Sequence, residues 1–451
     1  MDDRSRGSSV RAFAQPKMAA LIFLGFASGL PFNLIGNGKA FQAWMTASGV
    51  DLTKIGLFSM IGLPYSLKFL WAPVLDRYIP PMLGRRRGWL LITQILLLLG
   101  IAAMSLHDPA TGLQALAINA IFIAIFSASQ DIAGDAYRTD VLEDREMGAG
   151  AAIWVLGYRV ALLFTGSFSL VLAERLSWGT VYVLLSVLML VGIITTFLAP
   201  EPELKDAPPR SLGEAVAMPF RDFFDRAGPG LGVAVLLFIV LYKYSDALAG
   251  SMTTPFLLKT GFTQTEVGVV FGGAGLISTI LGSLAAGAMI ARLGINKSLW
   301  LFAFFQALSN LTYYGLSLVG RDHAFMVAAI VIENFGVGLV SSALVAYIMS
   351  MCNRRFSATQ FALLSSLVAA SRDILVAPGG KIADSFGWPT FFLVTVAAGI
   401  PCIFLLPFIA PWGRDVPTGA YQRSDETLAG PERTGEQGDP GVPSPGSGDE
   451  R

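Results

Sequence analysis

The feature that most constrains this chain is a series of long apolar blocks. MAALIFLGFASGLPFNLIG, GWLLITQILLLLGIAAMSL and WPTFFLVTVAAGIPCIFLLPFI each run for about 20 residues, the length at which an α-helix crosses a hydrocarbon core of about 30 Å. Backbone polar groups find no water inside a bilayer, so a spanning segment must satisfy them itself, as a helix or a closed barrel. Blocks this long, without apolar–polar alternation, require helices. Composition agrees: 53% of the 451 residues are hydrophobic and 14% charged, where a soluble domain carries about 25% charged residues. Too few charges remain to cover a water-facing surface.

Twelve spans are expected, at 18–46, 53–75, 88–106, 113–137, 147–172, 178–199, 229–258, 264–291, 298–317, 323–350, 357–380 and 388–410. Lysine and arginine set the orientation. With the N-terminus in the cytoplasm, the inside segments hold Arg4, Arg6, Arg11, Lys17, Arg77, the Arg85, Arg86 and Arg87 run, Arg292, Arg354 and Arg355, among others. The outside ends hold only Lys54, Arg175, Lys259, Arg321 and Lys381. Both termini are therefore expected in the cytoplasm. The chain divides into an N-terminal segment (1–17), a six-helix bundle (18–199), a polar linker (200–228), a second six-helix bundle (229–410) and a tail (411–451). The tail is rich in Gly, Pro, Ser, Glu and Asp and is expected to be disordered.

Net charge is zero, which gives no argument for a nucleic-acid partner. Two cysteines, Cys352 and Cys402, and two histidines, His107 and His323, lie in separate segments, so neither a metal site nor a cofactor is expected. The expected partners are the lipid bilayer, protons and a small-molecule solute, and a monomer is expected.

The two halves repeat. Gly49-x3-Thr53-x-Ile55-Gly56 recurs as Gly261-x3-Thr265-x-Val267-Gly268, 212 residues on. Ala72-x3-Asp76-Arg77 recurs as Gly287-x3-Ala291-Arg292, 215 residues on, and Arg159-x6-Gly166 as Arg372-x6-Gly379, 213 residues on. Six spans per half make these repeats parallel, related by an axis along the membrane normal. This is the plan of the major facilitator fold, an all-α membrane protein with pseudo-two-fold symmetry and its substrate site near the midplane between halves.

Ionisable residues inside the spans are Lys39, Lys68, Asp131, Asp135, Arg159, Lys243, Asp246, Glu333, Arg372 and Asp373. Each costs at least about 2.5 kcal/mol at the bilayer centre, so they must face one another or a wet cavity. Function and internal pairing weigh about equally for any one of them. Lys243 and Asp246 share a helix face at i,i+3; Asp131, Asp135 and Arg138 form one stripe. Arg159 and Arg372 are repeat-related, so symmetry is expected to bring both to the central cavity. There two guanidiniums would grip an anionic substrate bidentately; the alternative is that Arg372 pairs with Asp373 or with another helix's carboxylate. Glu333 has no cation within a helical turn and is the first candidate proton carrier, with Asp131, Asp135, Asp246 and Asp373 as alternatives; a partner on another helix, such as Lys243, is the structural reading. Asn33 and Asn37 continue a Gly25–Gly29 ridge and offer amides to a ligand. Tyr65, Lys68 and Gln130 complete the expected substrate-binding set with Arg159, Lys243 and Arg372. Loop 76–88, DRYIPPMLGRRRG, resembles the cytoplasmic signature loop of the major facilitator superfamily. Asp76, Arg77, Arg85 and Arg86 are then a conformational latch, and the same cations also serve as a positive-inside anchor. No nucleophile–base pair is visible, so an enzyme is not expected.

Longer blocks carry a closer resemblance. FASGLPF at 26–32, QAWM at 42–45, KFLWAPVLDRY at 68–78, GRRRGWLLITQ at 84–94, SASQDIAGDAYRTDVL at 127–142, GAGAAIWVLGYR at 148–159 and FSATQFALLSSL at 356–367 closely resemble AmpG-type muropeptide permeases, over residues 16 to 410. The resemblance implies a bacterial inner-membrane permease that imports anhydromuropeptides (GlcNAc-anhydroMurNAc peptides) with protons, feeding peptidoglycan recycling and, in some bacteria, β-lactamase induction. Some members carry two further C-terminal helices, which the polar tail here does not supply. Similar sequences also occur among acetyl-coenzyme A transporters. The alternatives are a carrier or efflux pump for another anionic solute and a membrane sensor that binds without transport.

Overall fold

The computed structural model describes residues 16–142, 147–202, 221–226, 228–351 and 357–412. Among them there is helix and no strand. Nine helical stretches are long and apolar enough to cross a membrane. Two of these contain a break, at Gly294 (φ 80°) in Gln264–Val319 and at Gly387 (φ 78°) in Gly379–Ile409. A positive φ is open to glycine and strained for side-chain-bearing residues, so each break separates two spans. Residues 52–77 form a further helical run interrupted by 3₁₀ turns at Phe58–Gly62 and Lys68–Leu70, and Ser357–Ala370 continues through a wide π turn at Ser371–Leu375. Together these elements accommodate the twelve expected crossings. The N-terminal segment, most of the linker, the tail after 412 and Cys352 lie outside the described residues.

The repeat has a structural cause. Gly49 (φ 74°) and Gly261 (φ 100°) end the first and seventh spans, and two residues later Asp51 and Thr263 cap the next helix. Asp51 Oδ1 accepts from Lys54 N at 2.8 Å, and Thr263 Oγ1 accepts from Glu266 N at 3.1 Å, with Glu266 reaching back to Thr263 N at 2.7 Å. Each satisfies helix N–H groups that would otherwise lack a partner. Five residues beyond each cap, Gly56 and Gly268 let the second and eighth spans pack against the opposite bundle. A Cβ on Gly56 would sit 2.7 Å from Ala377 O, and one on Gly268 would sit 2.7 Å from Ser167 O.

These contacts lie at the end expected to face outside. There one apolar core runs through both bundles, from Leu30, Phe41 and Trp44 to Phe256, Tyr313 and Phe392. At the opposite end the core divides. Met18, Leu21, Leu90, Tyr137 and Trp154 pack within the first bundle, and Phe238, Phe302, Val340 and Tyr347 within the second. The bundles are thus joined at one end and separately packed at the other. Wide π turns at Phe164–Phe168, Phe271–Gly275 and Ser371–Leu375 lie along the joined seam. Such turns are rare and break the regular hydrogen-bond ladder, which suits helices that must change their packing.

The seam glycines give a first prediction. Gly56→Val or Gly268→Val overpacks a backbone contact, at about 1–3 kcal/mol. About 1.4 kcal/mol shifts a two-state equilibrium tenfold, so either variant should favour the state open at this end. Spin labels at positions 53 and 384, across the seam, should report a longer distance. An unchanged distance distribution would show that the glycines do not set the closed state.

Candidate functional site

Between the bundles the charged residues fall into two groups. The first gathers on the second, fourth, fifth and eleventh spans. Asp131 accepts from Ser28 Oγ at 2.5 Å and lies within electrostatic reach of Lys68, Asp135 and Arg372. Asp135 meets Arg138 at 3.2 Å and Lys68 at 4.0 Å, so the expected stripe forms. Tyr65 and Tyr158 face both Asp131 and Arg372.

Arg372 and Asp373 form a fork. Nε is 2.9 Å from Oδ1 and Nη2 is 3.4 Å from Oδ2. The carboxylate is 2% exposed, while a third of the arginine side chain remains open. The guanidinium also lies 4.9 Å from the centroid of Phe32. Three hydrogen bonds tie this turn to the first bundle: Asn37 Nδ2 to Arg372 O at 2.7 Å, Ser59 Oγ to Asp373 O at 3.1 Å, and Ser66 Oγ to Asp373 Oδ2 at 3.4 Å. Its repeat mate differs. Position 160, equivalent to Asp373, is valine. Arg159 is exposed and makes no ion pair or hydrogen bond among the described residues. The two arginines are repeat-related in position and unlike in partnership.

The second group joins the first span to the second bundle. Lys39 Nζ lies 3.2 Å from the centre of the Phe271 ring, a cation–π contact strengthened by desolvation. Glu333 is 6% exposed and accepts from Asn334 Nδ2 at 2.9 Å. Asp246, Lys39 and Lys243 surround it electrostatically. Lys243 Nζ donates to Asp246 on its own helix face, as the spacing predicts, and to Ser341 Oγ at 3.1 Å.

The amides differ in use. Asn33 Nδ2 donates to Leu162 O at 3.1 Å and Thr165 Oγ1 at 3.3 Å, which commits it to packing the first span on the fifth. Gln130 is buried and its Oε1 has no partner among the described residues. In the signature loop, Arg86 Nε meets Asp140 at 2.6 Å, Arg87 Nε meets Glu201 at 3.3 Å, and Arg87 Nη1 donates to Ala199 O. The cluster therefore fastens helix ends within the first bundle. Arg85 is buried beside it; the side chains of Asp76 and Arg77 lie outside the described residues. In the sequence Lys39 stands out only as a charged residue within a span, and Ser28, Ser59, Ser66 and Tyr158 do not stand out at all. Hydroxyls carry no signal in sequence until a fold sets a charge beside them.

Comparison with known proteins assigns this architecture. Residues 21–374 match the family model described as Major Facilitator Superfamily. The anhydromuropeptide permease of Escherichia coli (strain K12) is 48% identical over 399 residues, 88% of this chain and 80% of that protein. A putative transporter, AmpG 4, of Rickettsia felis is 32% identical, covering 88% of this chain and 98% of its own. Among solved structures, a peptide transporter POT superposes with a TM-score of 0.68 at 14% identity, over 88% of this chain and 95% of that one. The nucleoside transporter NupG gives 0.66 at 12% identity, over 87% and 99%; at such identities the likeness speaks for the fold alone. The chain is a multi-pass membrane transporter and not an enzyme, and it belongs to the Major Facilitator Superfamily, among the AmpG-type permeases.

Proposed function

We propose that this chain imports anhydromuropeptides from periplasm to cytoplasm by alternating access, driven by the proton gradient, in the inner membrane of a bacterium. The observation that carries this reading is the 48% identity to the E. coli permease across 88% of the chain. The site's chemistry supports it. A muropeptide offers carboxylates, hydroxyls and amides. Arg159, Lys68 and Gln130 have capacity to receive them: among the described residues Arg159 has no ion-pair partner, Lys68 only a 4.0 Å one, and Gln130 Oε1 no hydrogen-bond partner. Tyr65 and Tyr158 add ring faces for sugar. Arg372 and Asn37 are engaged across the seam, and Asn33 within the bundle, so these three hold the frame around the cargo. With both termini in the cytoplasm, the joined end faces the periplasm and the bundles stand open to the cytoplasm. Glu333 carries the proton, and no cofactor takes part.

Calorimetry on the purified protein tests cargo recognition. GlcNAc-anhydroMurNAc tripeptide should bind, and Arg159→Lys should weaken binding about tenfold, because lysine restores the charge without the two-pronged geometry and about 1.4 kcal/mol is a factor of ten. Binding of acetyl-coenzyme A in preference to the muropeptide would overturn the cargo assignment.

A further inference from the structure

One polar region lies inside the second bundle, away from the gap between bundles. Gln306 and Asn310 fall on one face of the ninth span and are 2% and 0% exposed. Gln306 Oε1 and Nε2 and Asn310 Oδ1 have no hydrogen-bond partner among the described residues. Gln306 Oε1 points at the tenth span, 2.6 Å from where a Cβ on Gly336 would lie, one turn from Glu333. Asn310 Nδ2 donates at 3.0 Å to Ser245 Oγ, the neighbour of Asp246 on the seventh span. The two side chains thus lie between the turn that follows Glu333 on the tenth span and the residue before Asp246 on the seventh. Leaving such amides unpaired costs about 1–3 kcal/mol each, and polar groups this deep are met by protein or by ordered water. Gly336 keeps the tenth span without a side chain where Gln306 approaches.

We infer that the second bundle holds internal water at Gln306 and Asn310, and that this water connects Glu333 to the Asp246–Lys243 pair as an internal proton route separate from the cargo path. The route rests on the proposed role of Glu333; the hydration itself does not. Each hop breaks an O–H bond on the donor and forms one on the acceptor, so the water is regenerated and the proton passes between the carboxylates. The charged and titratable groups facing Glu333 are Lys39 from the first span, Lys243 and Asp246 from the seventh, and Tyr313 from the ninth. Lys243, held to Asp246 and Ser341, compensates the Asp246 carboxylate when it releases the proton.

Hydroxyl-radical footprinting of the full chain in lipid nanodiscs tests the water directly. Tyr313 and Tyr182 are both fully buried, but only Tyr313 adjoins the polar region. Tyr313 should be labelled at least about fivefold faster than Tyr182, and Gln306→Leu with Asn310→Leu should remove the difference. Equal labelling of the two tyrosines in the wild type would overturn the hydration. In proteoliposomes the same double variant should lower the ratio of pH-driven uptake to cargo exchange at least tenfold. A wild-type ratio in the folded variant would overturn the route. Proton-driven uptake that survives Glu333→Gln while Tyr313 still labels fast would instead overturn the role of Glu333 and leave the water standing.

Discussion

Replacing Glu333 with glutamine should abolish accumulation driven by a pH gradient and leave exchange of labelled for unlabelled cargo intact. A proton-motive step needs a group that gains and loses a proton as the cavity changes sides, whereas exchange needs no net proton movement. Glu333 is buried and held by Asn334, with Lys39 and Lys243 close enough to interact but no cation at ion-pair distance among the described residues. Glutamine keeps the shape and remains uncharged throughout. One proton per cargo and a gradient of one pH unit supply about 1.4 kcal/mol, a tenfold accumulation. The variant should fall from that value to none. Retained accumulation would move the carrier to Asp131 or Asp246.

Arg372→Ala should cost about 3–5 kcal/mol of stability, because it strips the partner from a carboxylate that is almost wholly buried. Among the described residues Ser66, at 3.4 Å, is the remaining side-chain donor to Asp373. The expected result is a low yield of folded protein and a large drop in melting temperature in detergent. Adding Asp373→Asn should recover most of the loss, since a neutral amide needs no cation. Arg372→Lys should recover part, because lysine cannot reproduce the fork. Sequence symmetry alone offered Arg372 as a cargo ligand equal to Arg159. If Arg372→Ala folds normally and cargo affinity falls more than tenfold, that reading is right and the structural one is wrong.

The spans, the repeat and the charge stripe on 131–138 were legible because each rests on a period or a block that survives without tertiary information. Gly56 and Gly268 were visible as a repeat, but their purpose was not. It depends on the backbone of the eleventh and fifth spans, hundreds of residues and about a hundred residues away in sequence. Arg159 and Arg372 were found by the same repeat, and their difference follows from one position, Asp373 against Val160. Pairing across helices was harder. Whether Asn33 meets cargo or Leu162 is fixed by how the first span packs on the fifth, and whether Lys39 meets an anion or the face of Phe271 by how the two bundles lie together. Gln306 and Asn310 carry no motif, and only buried polar atoms that lack a partner among the described residues mark them.

The most direct measurement of the central claim is uptake of radiolabelled GlcNAc-anhydroMurNAc tripeptide into proteoliposomes containing the purified chain, with the interior set one pH unit more alkaline than the exterior. The account predicts concentrative uptake that collapses when a protonophore is added and disappears in Glu333→Gln. Equilibration to equal concentrations on both sides, unaffected by the gradient, or no flux despite measurable binding, would contradict it.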